Sequence, residues 1–219
     1  MSVCGIVLAA GRGLRFGGLK QFAELDGRLL VHRSVDVAAA VCHDVIVVLP
    51  PGARWNGRTV TSVVQGGRTR AQSVRHGLRA LPPGVDIVAV HDAAHPLATA
   101  PLLHSVVRAV ADGAAAAVPG LRPTEVIKRV EGDLAGMTVG RDDLVAVQMP
   151  QAYRADVLLT AHDSAGRTAP GRGPEILEDS ALVEAAGQRV RVVPGEATNI
   201  HVTSPRELTI ARCIARHLR

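Results

Sequence analysis

The chain has 219 residues, 47% of them hydrophobic and 21% charged, which excludes a disordered tail and suits one α/β domain with a sizeable core. Aromatic residues make up only 2%, so the core must be built from Val, Leu, Ile and Ala, and a platform for stacking bases is excluded. The formal net charge of +5 rests on scattered arginines, which favours small phosphorylated partners over nucleic acid, and no apolar run approaches the ~20 residues of a membrane helix.

In chain order, Val3–Ala9 reads as the first strand. Leu29–Ala40 reads as an amphipathic helix and Asp44–Leu49 as a second strand. Thr59–Val64 is a short third strand, Ala71–Ala80 a helix and Asp86–His91 the next strand. That strand is apolar nearly throughout, as expected when both faces are covered. A helix at Pro101–Asp112 and a strand at Ala114–Val118 follow. Strands alternating with helices imply βαβ crossovers and a mainly parallel sheet.

The pattern changes after Pro119. The segment "IKRVEGDLAGMTVGR" (127–141) carries Gly132 and Gly136 between β-prone pieces and reads as a projecting hairpin within an arm at about 121–143. Leu144–Tyr153 returns the chain to the sheet, and Ala155–Ser164 is helical. The Gly/Pro-rich stretch 165–175 reads as a mobile loop. A helix at Glu178–Ala186, a strand at Val190–Val193 and a helix at Pro205–His217 close the chain. One domain, 1–219, with an arm is the economical reading. Cys4, Cys42 and Cys213 are few and widely spaced, so they read as free thiols of a cytoplasmic protein.

The chemistry concentrates where the first strand ends. Ligands of open parallel sheets bind beyond the carboxyl ends of the strands. There "AAGRGLRFGGLKQF" (9–22) places Gly11 and Gly13, whose amides can approach a phosphate closely, with Arg15 and Lys20 as mobile cations. The pattern GxxxxGK[ST] is absent, because Leu19 precedes Lys20 and Gln21 follows it. A dinucleotide fingerprint would need glycine at Phe16. In "GGRTRAQSV" (66–74), Gly66 and Gly67 permit a tight turn, Arg70 can brace it, and Ser73 opens the following helix. An ordinary turn with a helix cap remains the alternative there. Asp92, at the carboxyl end of a buried strand, is placed to bind Mg²⁺; a turn or capping role is the alternative.

These blocks, with "VHDAAHP" (90–96), "MPQAY" (149–153), "EDSALVEAAG" (178–187) and "NIHVTSPREL" (199–208), resemble the sugar- and polyol-phosphate nucleotidyltransferases. Among them the chain is most similar to the 2-C-methyl-D-erythritol 4-phosphate cytidylyltransferases, over about 3–215. The resemblance implies a three-layer Rossmann-like fold with helices on both faces of a twisted, mainly parallel sheet and a projecting β-arm. It implies CTP and a small phosphorylated polyol as substrates, Mg²⁺ as cofactor, and a homodimer joined by the arm.

By the same resemblance, Ala9, Ala10 and Gly11 meet the base and ribose, and Arg15 and Lys20 hold the triphosphate and the α-phosphorus. Gly13, Gly66, Gly67, Arg70, Ser73 and Asp92 complete the nucleotide site. Asp92, Ala93, His95, Val126, Arg141 and His201 fall on the acceptor side, with Arg141 reaching a neighbouring subunit. Several acceptor positions depart from the family's pattern. His95 replaces an Arg, His201 a Lys, and Val126 and Leu177 replace threonines. Such a site loses donors, so other polyol phosphates or a phosphonate are rival acceptors, and a silent nucleotide-binding relative is a rival of another class. If both histidines face the acceptor phosphate, its affinity is expected to rise as pH falls through about 6.5.

Overall fold

The strand β1 (Val3–Leu8) is buried along its whole length and lies at the centre of an eight-stranded sheet. The computed structural model describes residues 1–167 and 178–218. Alternation along β1 sends Val3 and Val7 to one face and Cys4, Ile6 and Leu8 to the other. Burying each such aliphatic side chain is worth about 1.5–3 kcal/mol, and both faces need a cover. On the first face α1 (Leu30–Val41) and α3 (Ala100–Ala111) supply Val31, Val35, Leu103 and Val106. On the second, α2 (Arg70–Arg79), α4 (Ala155–Arg167) and α5 (Asp179–Ala185) supply Val74, Leu78, Leu158 and Val183. The result is a three-layer α/β fold.

β1 pairs in parallel with β4 (Asp44–Leu49) on one side and with β6 (Ile87–Asp92) on the other, and β4 pairs in parallel with β5 (Ser62–Gln65). Beyond β6 the sheet turns mixed. β11 (Gln151–Arg154) inserts antiparallel between β6 and β7 (Ala116–Leu121). β10 (Ala146–Val147) extends the same antiparallel ladder on β7, and β12 (Val190–Pro194) pairs with β7 in parallel. The stretch expected to return as one piece at 144–153 is thus two strands, broken at Gln148–Pro150. The strand expected from Ala114 begins at Ala116, because Gly113 turns there with φ +105°. The strand expected over Thr59–Val64 begins at Ser62. Residues 168–175 of the expected loop, and Leu177, lie outside the described residues.

Two small features escaped the sequence reading. Lys20–Phe22 forms a 3-10 turn, and β2 (Glu24–Leu25) pairs with β3 (Arg28–Leu29) across Asp26 and Gly27, both at positive φ. This ribbon gives Leu25 to a third apolar cluster with Leu30, Leu97 and Val202, closed by Leu208, Ala211 and Ala215 of α6 (Pro205–His217). The arm is a separate hairpin of β8 (Ile127–Glu131) and β9 (Leu134–Val139), with a register shift between Lys128 and Val130.

α6 starts with a capping box, in which Ser204 Oγ accepts from the Glu207 amide and the Glu207 carboxylate accepts from the Ser204 amide. Glu207 also accepts from the amide and hydroxyl of Thr203. These bonds, led by the Thr203 hydroxyl, hold its pKa down to about 2 from 4.5. A depressed acid stabilises the fold above its unfolded pKa and loses that contribution as pH falls through the folded one. Glu207→Gln should therefore flatten the acid limb of stability against pH between 4.5 and about 2, read by denaturant titration. An unchanged slope would remove Glu207 as its source.

Candidate active site

Three backbone bonds carry the ladder past the strand ends and fix the loops that leave them. Ala9 N donates to Val48 O (2.8 Å), Gly66 N to Leu49 O (2.8 Å) and Ala93 N to Leu8 O (2.9 Å). Val202 N donates to Ala94 O (2.8 Å), which brings the loop before α6 to the same place. Between these loops lies a cavity of about 500 Å³. Of the sequence candidates, Ala9, Ala10, Gly11, Lys20, Gly66, Gly67, Arg70, Ser73, Asp92, Ala93 and His201 line it.

Two glycines are required by this geometry. Gly13 has φ +62°, and a Cβ there would fall 1.8 Å from Gly18 O, so only glycine closes the turn in which Phe16 N and Gly17 N bond Gly13 O. A Cβ on Gly66 would stand 2.2 Å from Ala10 Cβ, so two loop backbones meet there. Gln21 clamps the first loop by donating to Gly11 O (3.1 Å). Ser73 does not open α2, as expected from sequence; Thr69 does, its hydroxyl accepting from Gln72 N. Ser73 sits in the first turn, donates to Thr69 O and accepts from Gly67 N, both at 3.1 Å. It holds the glycine turn shut.

The cations divide into a rim and a floor. Arg15 is exposed on the first loop, outside the cavity wall. Lys20 Nζ donates to Val202 O (2.8 Å). Burial lowers its pKa and Arg15 adds to the shift, while Asp92 and Glu207 oppose it. An incoming polyanion would relieve this crowding. Arg70 forms the floor, with Nη1 2.7 Å from Asp179 Oδ2 and Nε 3.7 Å from Asp92 Oδ2. Its own burial works against the charge, but Asp92 and Asp179 outweigh it and raise its pKa.

Asp92 Oδ1 is buried and has no hydrogen-bond partner among the described residues. A free carboxylate oxygen at the cavity wall fits Mg²⁺, which takes one or two carboxylates and fills its octahedron with water and phosphate oxygens. Among the described residues no cluster of three His, Cys, Asp or Glu could cage a metal alone, so an ion here would be shared with its ligand.

The acceptor-side candidates separate. Ala93 and His201 are at the wall, and His95 stacks behind His201 with ring centroids 4.7 Å apart and planes 12° apart. Burial, the His95 ring, Lys20 and Arg15 push the His201 pKa down to about 4, with Asp92 opposing. Burial also lowers that of His95. Both rings are neutral at neutral pH, so the protonation expected near 6.5 moves lower. Val126 and Arg141 lie on the exposed arm, away from this chain's own cavity; Arg141 bonds the carbonyls of Thr124 and Glu125 there. Sequence reasoning missed Gln21, Thr69 and Asp179. The run "KQF" and a Thr before a helix were visible signals, whereas Asp179 is brought to Arg70 only by the fold.

A family model described as 2-C-methyl-D-erythritol 4-phosphate cytidylyltransferase (IspD) matches residues 3–217. The chain is 36% identical over 222 residues to the 2-C-methyl-D-erythritol 4-phosphate cytidylyltransferase of Geobacillus kaustophilus, covering 95% of each chain. It is 37% identical over 231 residues to the enzyme of the same name from Streptomyces avermitilis, covering 95% of this chain and 90% of that one. The crystal structure of the 2-C-methyl-D-erythritol 4-phosphate cytidylyltransferase of Thermus thermophilus superposes with a TM-score of 0.84 at 34% identity, covering 99% of this chain and all of that one.

The stacked histidines give a direct check. His201 should titrate near about 4 when its ring shifts are followed by NMR against pH. A midpoint at the ordinary 6.5 would place the ring free of His95 and of the neighbouring cations.

Proposed function

The chain belongs to the 2-C-methyl-D-erythritol 4-phosphate cytidylyltransferase (IspD) family, and on that premise we propose that it transfers CMP from CTP to 2-C-methyl-D-erythritol 4-phosphate, releasing pyrophosphate. The observation that carries the reading is the cavity at the carboxyl ends of β1, β4 and β6. It joins a glycine loop, Lys20, Arg70 and a free Asp92 oxygen.

In this reading the base and ribose lie against Ala9–Gly11 and the Gly66–Gly67 turn. An acceptor phosphate oxygen attacks the α-phosphorus, a new P–O bond forms, and the bond from the α-phosphorus to the bridging oxygen of the β-phosphate breaks. The electron pair leaves with pyrophosphate. Such a transfer needs alignment and charge stabilisation rather than a covalent enzyme intermediate. Lys20, tethered to Val202 O, stands beside the reacting phosphorus, and Arg15 swings in from the exposed loop. Mg²⁺ held by Asp92 Oδ1 would neutralise triphosphate oxygens when bound.

The acceptor-side residues that line or back the cavity carry little charge of their own. His95 and His201 are neutral there, and Val126 offers no hydroxyl. The cation for the acceptor phosphate is Arg141 of a second copy, delivered by the arm. The arm supports this: Val130 and Met137 are each 70% exposed. A two-stranded ribbon with apolar side chains so exposed is marginal alone in water. We place the dimer in the cytoplasm; no helix is long and apolar enough to cross a membrane among the described residues.

Purified protein with CTP, Mg²⁺ and 2-C-methyl-D-erythritol 4-phosphate should release pyrophosphate, and ribitol phosphate in its place should do so poorly. Lys20→Ala should lose about 10- to 100-fold in kcat/KM, the worth of a charge-assisted contact of roughly 1.5–3 kcal/mol. Pyrophosphate release with ribitol phosphate but not with methylerythritol phosphate would reassign the acceptor. Wild-type turnover in Lys20→Ala would remove the lysine from the site. In the same preparation, sedimentation should show a dimer that Met137→Glu weakens, with activity falling alongside; a fully active monomer would end the arm's role.

A further inference from the structure

His162 belongs to α4 and takes no part in the reaction as described, yet its side chain is only 2% exposed. Its Nε2 lies 2.9 Å from Asp179 Oδ1, and Asp179 is 1% exposed. Asp179 Oδ2 in turn holds Arg70 Nη1 at 2.7 Å, and Arg70 Nε faces Asp92 at 3.7 Å. A line of contacts therefore runs from the back of α4, through α5, to the floor of the cavity.

We infer that His162 is a positioning residue: by fixing the Asp179 carboxylate it sets the orientation of the Arg70 guanidinium in the nucleotide cavity. The inference rests on the reading that CTP occupies that cavity.

The reason lies in how a buried carboxylate is satisfied. Each oxygen needs a donor, because an unpaired buried charge is costly. Asp179 Oδ1 takes the His162 N–H and Oδ2 takes one Arg70 N–H. Burial works to raise the Asp179 pKa, but these bonds outweigh it and hold the group ionised. With Oδ1 occupied, Asp179 can engage Arg70 through one nitrogen only. The fork then stays turned, with Nε towards Asp92 and the remaining N–H groups free for a ligand. Without His162, Oδ1 would be left bare. The carboxylate would then recruit a second guanidinium N–H in the bidentate geometry that such pairs favour. Arg70 would withdraw from Asp92 and from the cavity, with its charge unchanged.

His162→Leu tests this by removing the donor at similar volume, and His162→Gln keeps an N–H at about the position of Nε2. Calorimetric titration of CTP in Mg²⁺ buffer is run on wild type, both variants, Arg70→Lys and the double variant His162→Leu/Arg70→Lys, with thermal melts alongside. His162→Leu should bind CTP about 10-fold more weakly, and His162→Gln should return to within about 3-fold of wild type. Arg70→Lys, which loses the fork, should also bind more weakly. The double variant should bind no more weakly than Arg70→Lys, since residues acting through one another are not additive. A fall in melting temperature with CTP affinity intact would make His162 merely structural and overturn the inference. So would additive losses, or an Arg70→Lys variant that binds like wild type. Wild-type protein that does not bind CTP would overturn the nucleotide reading itself, and this inference with it.

Discussion

The site hangs on one rung of the sheet. Leu8 is paired with Asp92 of β6 and with Val48 of β4. Parallel pairing brings three strand ends level, so the loops that follow them open onto one space. The next bonds, Ala9 to Val48 and Ala93 to Leu8, continue that rung into the loops. A slip of one residue would turn Asp92 from the cavity and send Ile6 and Val7 to the wrong helices. Because both faces of β1 are buried, such a slip is strongly opposed. The register that builds the core therefore also places the carboxylate.

Charge is then distributed against the grain of burial. The cavity collects Lys20 and Arg70, with Arg15 on its rim, and the fold must hold the two buried charges. It does so by pairing Arg70 with Asp179 and Asp92 and by tying Lys20 to a backbone carbonyl. The rim cation Arg15 remains in solvent, where its charge costs little and its side chain is free to move. The His95–His201 stack is kept neutral by its own burial and by Lys20, with Arg15 adding to the effect on His201. A histidine beside a lysine and an arginine makes a poor anion binder at neutral pH, however well placed it looks in sequence. Its remaining capacity is a neutral hydrogen bond, which suits a polyol hydroxyl better than a phosphate.

The alternation of apolar strands and helices and the glycine loop after β1 were legible because each is a local pattern of strong period. So were Asp92 at a strand end and the hairpin around Gly132. Asp26–Gly27 was as plain a hairpin signal, but its strands are two residues each and the periodicity is too short to register. Ser73 was read as a helix opener because a hydroxyl near a helix start is ambiguous by a turn; Thr69 takes that place. The Arg70–Asp179–His162 contacts were not legible, since they join three helices distant in sequence. The same holds for the lowered histidine pKa values, which depend on a stack that sequence spacing does not reveal.

The arm carries apolar side chains on both of its sides. Ile127 and Val130 are three residues apart, so in a regular strand they would point to opposite sides. The register shift puts the extra residue on β9, where Gly136 and Met137 together oppose Arg129. Ile127 then pairs with Val139 and Val130 with Ala135. Val130 and Ala135 therefore share the side of Lys128 and Thr138, while Ile127, Val139 and Leu134 lie on the other, so both sides of the ribbon carry exposed apolar side chains, Val130 on one and Leu134 on the other. Lys128 and Thr138 are joined by a 3.0 Å hydrogen bond. Apolar side chains exposed on both sides leave the ribbon marginal on its own in water. Arg141 lies just beyond β9, so whatever covers the arm also fixes where the guanidinium lies. At the histidine end of the cavity, burial, Lys20 and Arg15 keep the His201 ring neutral, while the arm carries Arg141 outward from its own chain.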